Sequence, residues 1–390
     1  MNQHRNVLDV VDSLPDEQRK VLYRELYGPE VESIELDTEL ISRLEEKEIE
    51  LKAYKMQCKL EELRDPRVVR IAAIQNKFAS SPSAPFAEQW QIMSQRMAEL
   101  IDTAAAAGAH IVCLQECWTT AFVMATREKI WNAMAVPAAY GPAADFISAK
   151  AKEHRMVILS PILERDEAHA DTIHNATAIF NAAGQFVGKT RKNHIPRVGD
   201  FNEANYYTEA TDGHPVFEVL CSNGVVARIG VNICFGRHHP LNWLSYSLNG
   251  AEVIFNPSAT TDGLSEPLWS IEARNAAIAN SVYTVAINRV GTETFPREFT
   301  SGDMKPAHKD FGHFYGSSYV TAPNGQRTPG LSRAEDGVLV TEVDLNLQRQ
   351  TRDAWMFNVT MRGELYRDML QKYCEAEFVP QRVVDPALKR

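Results

Sequence analysis

From residue 67 to about residue 345, the chain alternates between two kinds of apolar pattern. Short runs rich in Val, Ile and Leu predict buried strands, and longer segments with apolar residues three or four positions apart predict amphipathic helices. The predicted strands cover 68–75, 110–116, 156–163, 173–180, 184–192, 225–234, 252–258, 282–290, 317–322 and 338–345. The predicted helices cover 86–107, 143–154, 240–248 and 268–280. Strands that alternate with helices indicate a layered α/β fold.

The first 66 residues have a different pattern, in which apolar residues at helical spacing lie among many charged residues. Asp37 suits the N-cap of a helix that Pro66 would end. We therefore predict an acidic helical extension over 1–66 that serves oligomerisation, because its apolar stripes need a surface to cover. A flexible, solvated leader is the alternative. The residues 67–390 would form the main domain and include a C-terminal extension.

Composition and charge exclude several classes of protein. Apolar residues make up 44% and charged residues 24% of the 390 residues, which is typical of a globular protein with a large core. The net charge is −10, and residues 1–66 contribute −7 of it, with 17 acidic and 10 basic residues. Such a chain has no basic surface for nucleic acid or an anionic membrane. Its longest apolar stretch, at about 104–114, is too short to span a bilayer.

The six cysteines indicate the compartment. None of them forms a C-x-x-C pair, and the N-terminus has no apolar signal segment. Free thiols in a reducing compartment are the simplest interpretation, so we expect a soluble, cytoplasmic protein.

Cys234 stands at the end of a predicted strand, just before a predicted helix. Gly236 permits a tight turn there, and both the start of the helix and the charge of Arg237 would favour the reactive thiolate. The backbone N–H groups of Phe235 and Gly236 would lie where an oxyanion develops. A single cysteine in this position is more often a core residue, so its role depends on the rest of the chain.

Two further strand ends carry charged residues. Glu116 closes the strand 110–116, where partial burial would suit a general base, although a solvated strand end is equally consistent with the sequence. Lys192 follows another strand and is accompanied by His194 and Glu203. Lysines in this position are usually on the surface, but Glu203 could hold the ammonium or join a proton relay.

Glu, Lys and Cys in this order, at three strand ends, resemble the pattern of the nitrilase superfamily of carbon–nitrogen hydrolases. The matching segments are CLQECW at 113–118, RKNHIP at 191–196 and NICFGR at 232–237. The resemblance implies that Glu116 is the general base, that Lys192 stabilises the tetrahedral intermediate, and that Cys234 is the nucleophile. Glu203 corresponds to the second glutamate that the superfamily places near the site.

The resemblance becomes narrower around these motifs. The segments RKNHIPRVGDFNE, GRHHPLNW, NGAEVIFNPSAT, SIEARNAAIAN, INRVGTE and FGHFYGSSYV are similar to the branch that hydrolyses N-carbamoyl-β-alanine in pyrimidine degradation. This branch implies a four-layer αββα sandwich with the N-terminal helical extension, homodimers that build larger homo-oligomers, and a small ureido acid as substrate. Thiolate chemistry requires neither a metal nor a cofactor, and we expect none.

Three residues beside the nucleophile are candidates for substrate binding: Arg237, Phe235 and His238. Arg237 could bind the substrate carboxylate, since a guanidinium forms two parallel hydrogen bonds to a carboxylate. Its alternative role is an ion pair with an acid such as Glu203.

The sequence departs from the family pattern at four places. In the segment 117–125, Ala121 replaces a proline and Met124 replaces an aromatic residue, which would loosen a loop beside the site. Phe235 replaces a tyrosine. His174 replaces a tryptophan, and 261–262 introduces an aspartate. These changes leave open an amidase or an N-carbamoyl-amino-acid hydrolase of the same fold, or a weakly active homologue that mainly forms assemblies.

Overall fold

Two β-sheets stacked face to face form the centre of the computed structural model, which describes residues 7–302 and 304–387. The strands are β1 (Glu32–Ser33), β2 (Ile49–Lys55), β3 (Val68–Gln75), β4 (Ile111–Cys113), β5 (Val157–Asp166), β6 (Thr172–Phe180), β7 (Phe186–Arg191), β8 (Phe217–Leu220), β9 (Val226–Val231), β10 (Val253–Ser258), β11 (Tyr283–Asn288), β12 (Val290–Phe299), β13 (His308–Tyr315), β14 (Tyr319–Thr321) and β15 (Asp336–Asp344). The helices are α1 (Val7–Asp12), α2 (Asp16–Tyr27), α3 (Thr38–Glu45), α4 (Phe86–Ala106), α5 (Pro142–His154), α6 (Pro240–Leu248), α7 (Glu266–Asn280), α8 (Asn346–Trp355), α9 (Phe357–Thr360) and α10 (Gly363–Tyr373).

The first sheet has eight strands in the order β1-β2-β15-β3-β4-β5-β6-β7. Strands β3, β4 and β5 are parallel, and β5, β6 and β7 are antiparallel. The second sheet has five strands in the order β14-β11-β10-β9-β8, with β9, β10 and β11 parallel. Strands β12 and β13 form a separate hairpin.

Each sheet buries one face against the other sheet and one face against helices. Side chains such as Ile71 and Val157 of the first sheet share one apolar cluster with Ile229 and Phe255 of the second. Helices α4 and α5 cover the outer face of the first sheet, and α6 and α7 cover that of the second. The predicted four-layer αββα sandwich is therefore confirmed.

The outer helices form because their apolar residues fall on one face. In α4, Met93, Met97, Leu100 and Ala104 recur every three or four residues and are all buried. Truncating one of them, for example Leu100→Ala, would cost about 2–5 kcal/mol of stability because a cavity would remain.

The N-terminal extension is only partly helical. Asp37 caps α3 as predicted, accepting a 2.8 Å hydrogen bond from the backbone N–H of Glu39, but the helix ends at Glu45. The predicted continuation to Pro66 is wrong, because 49–55 is strand β2, which pairs in parallel with β15 of the first sheet. Its apolar residues alternate with a period of two, and the mixture of charges around them resembled a helical face.

Further elements lie outside the predicted set. The hairpin β12–β13 contributes aromatic residues to a cluster with the segment 121–125, and strand β8 forms one edge of the second sheet. Helix α10 has no buried residue and belongs to an exposed C-terminal region. Among the residues that the structure describes, no helix is both long and apolar enough to cross a membrane.

Candidate active site

Three strand ends meet where the two sheets face each other. Glu116 follows β4, Lys192 follows β7, and Cys234 begins the turn after β9. The first two strands belong to the first sheet and the third belongs to the second, so the site lies between the sheets. All three side chains are buried.

Lys192 connects two carboxylates. Its Nζ donates a 2.8 Å hydrogen bond to Oε1 of Glu116 and a 2.5 Å hydrogen bond to Oε2 of Glu203. Oε1 of Glu116 also accepts a 2.7 Å hydrogen bond from Nδ2 of Asn175. The hydroxyl of Tyr207 donates to Oε2 of Glu203. Glu203 therefore holds the ammonium, one of the two roles the sequence suggested.

One oxygen of each carboxylate stays available. Oε2 of Glu116 and Oε1 of Glu203 are buried and have no hydrogen-bond partner within the described part of the chain. A buried carboxylate oxygen without a donor is costly in a resting protein. Oε2 of Glu116 can therefore accept a proton from a nearby thiol or water.

The buried charges influence each other. Burial by itself would lower the pKa of Lys192, but the charge that Cys234 carries as a thiolate and the charges of Glu116 and Glu203 outweigh it and raise that pKa, so the side chain is an ammonium. Burial, which outweighs the charge of Lys192, raises the pKa of Glu203. The carboxyl of Glu203 is therefore more easily protonated than that of an ordinary glutamate.

The thiol of Cys234 needs a base. Burial, with a further contribution from Glu116, raises its pKa to about 12, despite the opposing charges of Lys192 and Arg237. Arg237 favours the thiolate, as predicted, but burial and Glu116 outweigh its effect on the pKa of Cys234. Deprotonation of this thiol would require a base, and Glu116 is the predicted one.

The turn at Cys234 has an unusual backbone. Cys234 has a φ of 43°, in the left-handed region. A Cβ on Gly236 would lie 2.0 Å from Oδ1 of Asn232 and 2.6 Å from Nδ2 of Asn242, so only glycine fits. The N–H of Gly236 donates to the carbonyl of Ile233 at 3.0 Å. Of the two predicted oxyanion donors, only the N–H of Phe235 therefore has no partner among the described residues.

Arg237 is buried next to the nucleophile. Its Nη1 lies 3.8 Å from Sγ of Cys234, and its Nη2 donates a 2.9 Å hydrogen bond to Oγ of Ser265. Its acidic partner is Glu272, at 3.3 Å from Nε. The alternative role, an ion pair with an acid, is therefore present, but the acid is Glu272 and not Glu203, which is occupied by Lys192 and Tyr207.

A cavity of about 220 Å³ opens at the nucleophile. Its lining consists of Pro196, Val198, Phe201, Cys234, Phe235, Arg237, His238, Thr260, Leu264, Ser265 and Leu268. Phe235 and His238 thus lie where substrate-binding residues were predicted. Most of these lining residues are apolar. Their polar groups are the thiol, two hydroxyls, a histidine and the guanidinium of Arg237, and the guanidinium is the charged one among them.

The segment 117–125 is packed rather than loose. All of it is buried, and Phe122 contacts the rings of Phe201, Phe311 and Phe314. The predicted loosening is therefore wrong.

A buried arginine fixes the backbone of the same segment. Nη2 of Arg289 donates to the carbonyls of Glu116, Cys117 and Thr120, at 3.2, 2.8 and 2.9 Å. These hydrogen bonds replace the missing proline as a restraint.

The other departures lie away from the cavity lining. Asp262 is exposed and pairs with the backbone of His313, so its charge does not enter the cavity. His174 is buried on β6, where burial and Arg191 lower its pKa.

Several residues of the site were not found from the sequence. They are Tyr207, Ser265, Glu272 and Arg289, and the last three come from segments far along the chain. Tyr207 could have been found, because it stands four residues after Glu203, a spacing that brings side chains together on a helical turn. Glu272 and Arg289 lie in the segments SIEARNAAIAN and INRVGTE that resemble the family, which could have drawn attention to them, whereas no quoted segment contains Ser265.

The sequence matches the profile of the carbon-nitrogen hydrolase family over residues 70–353. A beta-ureidopropionase of Arabidopsis thaliana is 50% identical over 377 residues, which cover 97% of this chain and 91% of that protein. An N-carbamoylputrescine amidase of Solanum lycopersicum is 30% identical over 278 residues, covering 70% of this chain and 87% of that protein. Among solved structures, a carbon-nitrogen hydrolase from Helicobacter pylori G27 superimposes with a TM-score of 0.64 at 24% identity, covering 78% of this chain and 98% of that one, and shows the shared fold.

Proposed function

The chain belongs to the carbon–nitrogen hydrolase family, and we propose that it hydrolyses N-carbamoyl-β-alanine to β-alanine, ammonia and carbon dioxide in pyrimidine degradation. The observation that carries this proposal is the buried guanidinium of Arg237 beside the Cys234 thiol. The 50% identity to a beta-ureidopropionase over nearly the whole chain supports it independently.

The guanidinium separates this substrate from that of the more distant relatives. N-carbamoyl-β-alanine ends in a carboxylate, which Arg237 can bind in the low-dielectric cavity. N-carbamoylputrescine ends in an ammonium, which the same buried cation would repel. The charge of the cavity wall therefore favours an anionic ureido acid over a cationic ureido amine.

The reaction begins with proton transfer. Glu116 takes the proton of the Cys234 thiol through its unpartnered Oε2, and the thiolate attacks the carbamoyl carbon. Two of the three N–H donors of Lys192 bind Glu116 and Glu203, which leaves the third for the oxyanion. The backbone N–H of Phe235 is the second oxyanion donor.

The second half of the reaction uses the same glutamate. The protonated Glu116 gives its proton to the departing nitrogen, leaving an S-acyl intermediate on Cys234. It then removes a proton from water, whose oxygen attacks the intermediate and expels the thiolate, and the thiolate takes that proton back. The carbamic acid that is released breaks its remaining C–N bond, giving carbon dioxide and the second amine. Glu203 holds the ammonium of Lys192 in place throughout. One water is consumed for each ureido group cleaved.

A substrate panel tests the proposed function. Ammonia release should have its highest kcat/KM with N-carbamoyl-β-alanine, compared with N-carbamoyl-α-amino acids, N-carbamoylputrescine and simple amides. A higher kcat/KM with one of the others would replace the proposal with an amidase or another carbamoyl hydrolase. Absence of Cys234-dependent turnover, with large oligomers still present, would favour the assembly-forming homologue.

We also propose that the chain forms a homodimer through α6 and α7, and that such dimers build larger assemblies. These helices expose Leu241, Leu248, Ile271 and Ile278 on the outside of the sandwich. Exposed aliphatic side chains close together are typical of a protein–protein interface. Sedimentation of a Leu248→Glu variant should show a smaller species than the wild-type chain, and an unchanged size would contradict this interface.

The cytoplasm is the proposed location. All six cysteines are free, and Cys374 is exposed. Free thiols persist in a reducing compartment.

A further inference from the structure

Glu272 makes two contacts on the active-site side of α7. Its Oε2 lies 3.3 Å from Nε of Arg237, and its Oε1 lies 2.6 Å from Nδ1 of His238. Both partners follow Cys234 within four residues and line the cavity at the nucleophile. One carboxylate therefore holds two neighbouring side chains of the cavity wall.

The contacts of Arg237 define the orientation of its guanidinium. Glu272 lies at the Nε edge, and Ser265 accepts a hydrogen bond from Nη2 at 2.9 Å. Cζ of Arg237 lies 5.4 Å from the ring centroid of Trp269. Nη1 lies 3.8 Å from Sγ of Cys234. The Nη edge, which carries the parallel N–H groups that bind a carboxylate, thus points toward the nucleophile.

The contact with His238 fixes a proton. An ionised carboxylate only accepts hydrogen bonds, so Nδ1 of His238 carries the hydrogen that it shares with Glu272. In the neutral ring, Nε2 is then an acceptor, which suits the N–H groups of a ureido group.

We propose that Glu272 is a positioning residue that orients Arg237 for the carboxylate of the substrate and so makes the enzyme selective for ureido acids over neutral ureas. This inference rests on the proposed function. Glu272 itself stays on the far edge of the guanidinium and contacts no reacting atom.

The physical reason is the geometry of the guanidinium. A bidentate bond to a carboxylate requires the planar group in one orientation, and a long arginine side chain has many others. Glu272, with one-fifth of its side chain exposed, removes that freedom through a partly buried ion pair. Without its charge, the ion pair with Nε of Arg237 would be lost, while an amide oxygen could still accept the hydrogen bond from Nδ1 of His238.

Binding measurements on a chain that cannot turn over test this role. In a Cys234→Ser background, calorimetry should compare N-carbamoyl-β-alanine with N-propylurea, a neutral urea that has the same chain length but no carboxylate. Adding Glu272→Gln should raise the Kd of the acid about tenfold, because the ion pair that holds Arg237 is lost, and that of N-propylurea less than about twofold. Glu266→Gln is the matched control, because Glu266 lies on the same helix and pairs with Arg333 instead.

The outcomes separate the two proposals. Equal weakening of both ligands, or unchanged or tighter binding of the acid, would overturn the positioning role of Glu272. If the Cys234→Ser parent binds neither ligand, the proposed substrate is wrong and the inference fails with it.

A second variant tests the same role if Glu272→Gln does not fold properly. If Glu272→Gln lowers the thermal midpoint strongly, Glu272→Asp in the otherwise wild-type chain retains the charge. It should raise KM for the acid by less than the Gln variant and leave kcat nearly unchanged. A fall in kcat with constant KM would overturn the inference.

Discussion

The backbone N–H of Lys192 donates a 2.8 Å hydrogen bond to the carbonyl oxygen of Asn175. The side chain of the same asparagine donates to Oε1 of Glu116 at 2.7 Å. Asn175 therefore fixes the position of Lys192 through its backbone and that of Glu116 through its side chain. Because β6 and β7 are paired, the register of this hairpin sets the distance between base and ammonium.

Asn175→Ala should reduce kcat by about 10- to 100-fold, since it removes the hydrogen bond to the charged Glu116, of about 1.5–3 kcal/mol, together with a 3.0 Å hydrogen bond to the hydroxyl of Tyr207. KM should change much less, because the amide contacts Glu116 and not the cavity. Thr177→Val is the matched control: Thr177 lies two residues further on the same strand, and its buried hydroxyl has no partner among the described residues. Equal losses in both variants would contradict a specific role of Asn175.

Cys234→Ala should abolish turnover and leave the thermal midpoint nearly unchanged, because the substitution removes only one atom from the side chain at a strand end. Cys374→Ala, at an exposed thiol, should retain full activity. Ammonia release and thermal unfolding check both variants. Substantial turnover by Cys234→Ala would refute the nucleophile.

Arg237→Lys should raise KM for N-carbamoyl-β-alanine about tenfold, corresponding to about 1.4 kcal/mol. Lysine keeps the charge but loses the two parallel N–H donors. Steady-state kinetics will show the change, and N-propylurea should be affected less than the acid. An unchanged KM would place the carboxylate elsewhere.

Stability should fall in acid through a histidine pair. The rings of His194 and His239 stack 3.8 Å apart and join the segment after Lys192 to the turn after Cys234. Burial, with the charges of His239 and His214, lowers the pKa of His194 to about 4. A lowered pKa in the folded state means that the unfolded chain takes up the proton first, so this contribution is complete above about pH 6.5 and disappears as the pH falls toward 4.

Urea unfolding at about pH 7, 6 and 5 measures this effect. The wild-type midpoint should decrease across the series, and His194→Phe, which keeps a ring for stacking but cannot be protonated, should decrease less. Identical slopes in the two chains would show that His194 does not contribute to the acid sensitivity.

The N-terminal extension should contribute to assembly only where it lies outside the first sheet. Deletion of residues 1–65 removes β2 and exposes β15 as a long edge, so this chain should unfold at a lower temperature and aggregate.

Deletion of residues 1–29 leaves β2 in place but removes the contact between Tyr27 and Arg327. Sedimentation of the 30–390 chain should show smaller assemblies than the full chain. The same size distribution in both would contradict an assembly role.

Most of the fold could be predicted from local pattern. Strand β3 was predicted at 68–75 and α6 at 240–248, and both have these bounds in the structure. Long periodic segments carry this information because side-chain spacing alone decides whether one face can be buried. The strand β2 was mistaken for a helix because charged residues interrupt its alternation, and only pairing with β15 makes it a strand.

The reactive trio was identifiable in the sequence because Glu116, Lys192 and Cys234 each end a strand within a motif. Their surroundings were not identifiable in this way. Glu272 and Arg289 reach the site from α7 and from the end of β11, more than 30 residues beyond Cys234. Both lie in segments that resemble the family, SIEARNAAIAN and INRVGTE, but the sequence pattern does not show that they face the site. Tertiary packing decides which acid faces Arg237.

The protonation state of the nucleophile also depended on the tertiary structure. The sequence placed a thiol near a cation and a helix start, both of which favour the thiolate. Complete burial beside Glu116 reverses that balance and raises the pKa of Cys234 to about 12. Desolvation is a property of the whole packed chain, since it depends on how much water every surrounding segment excludes. The sequence by itself thus determined the fold class and the candidate reacting residues, and only the packing of the two sheets decided their partners and charges.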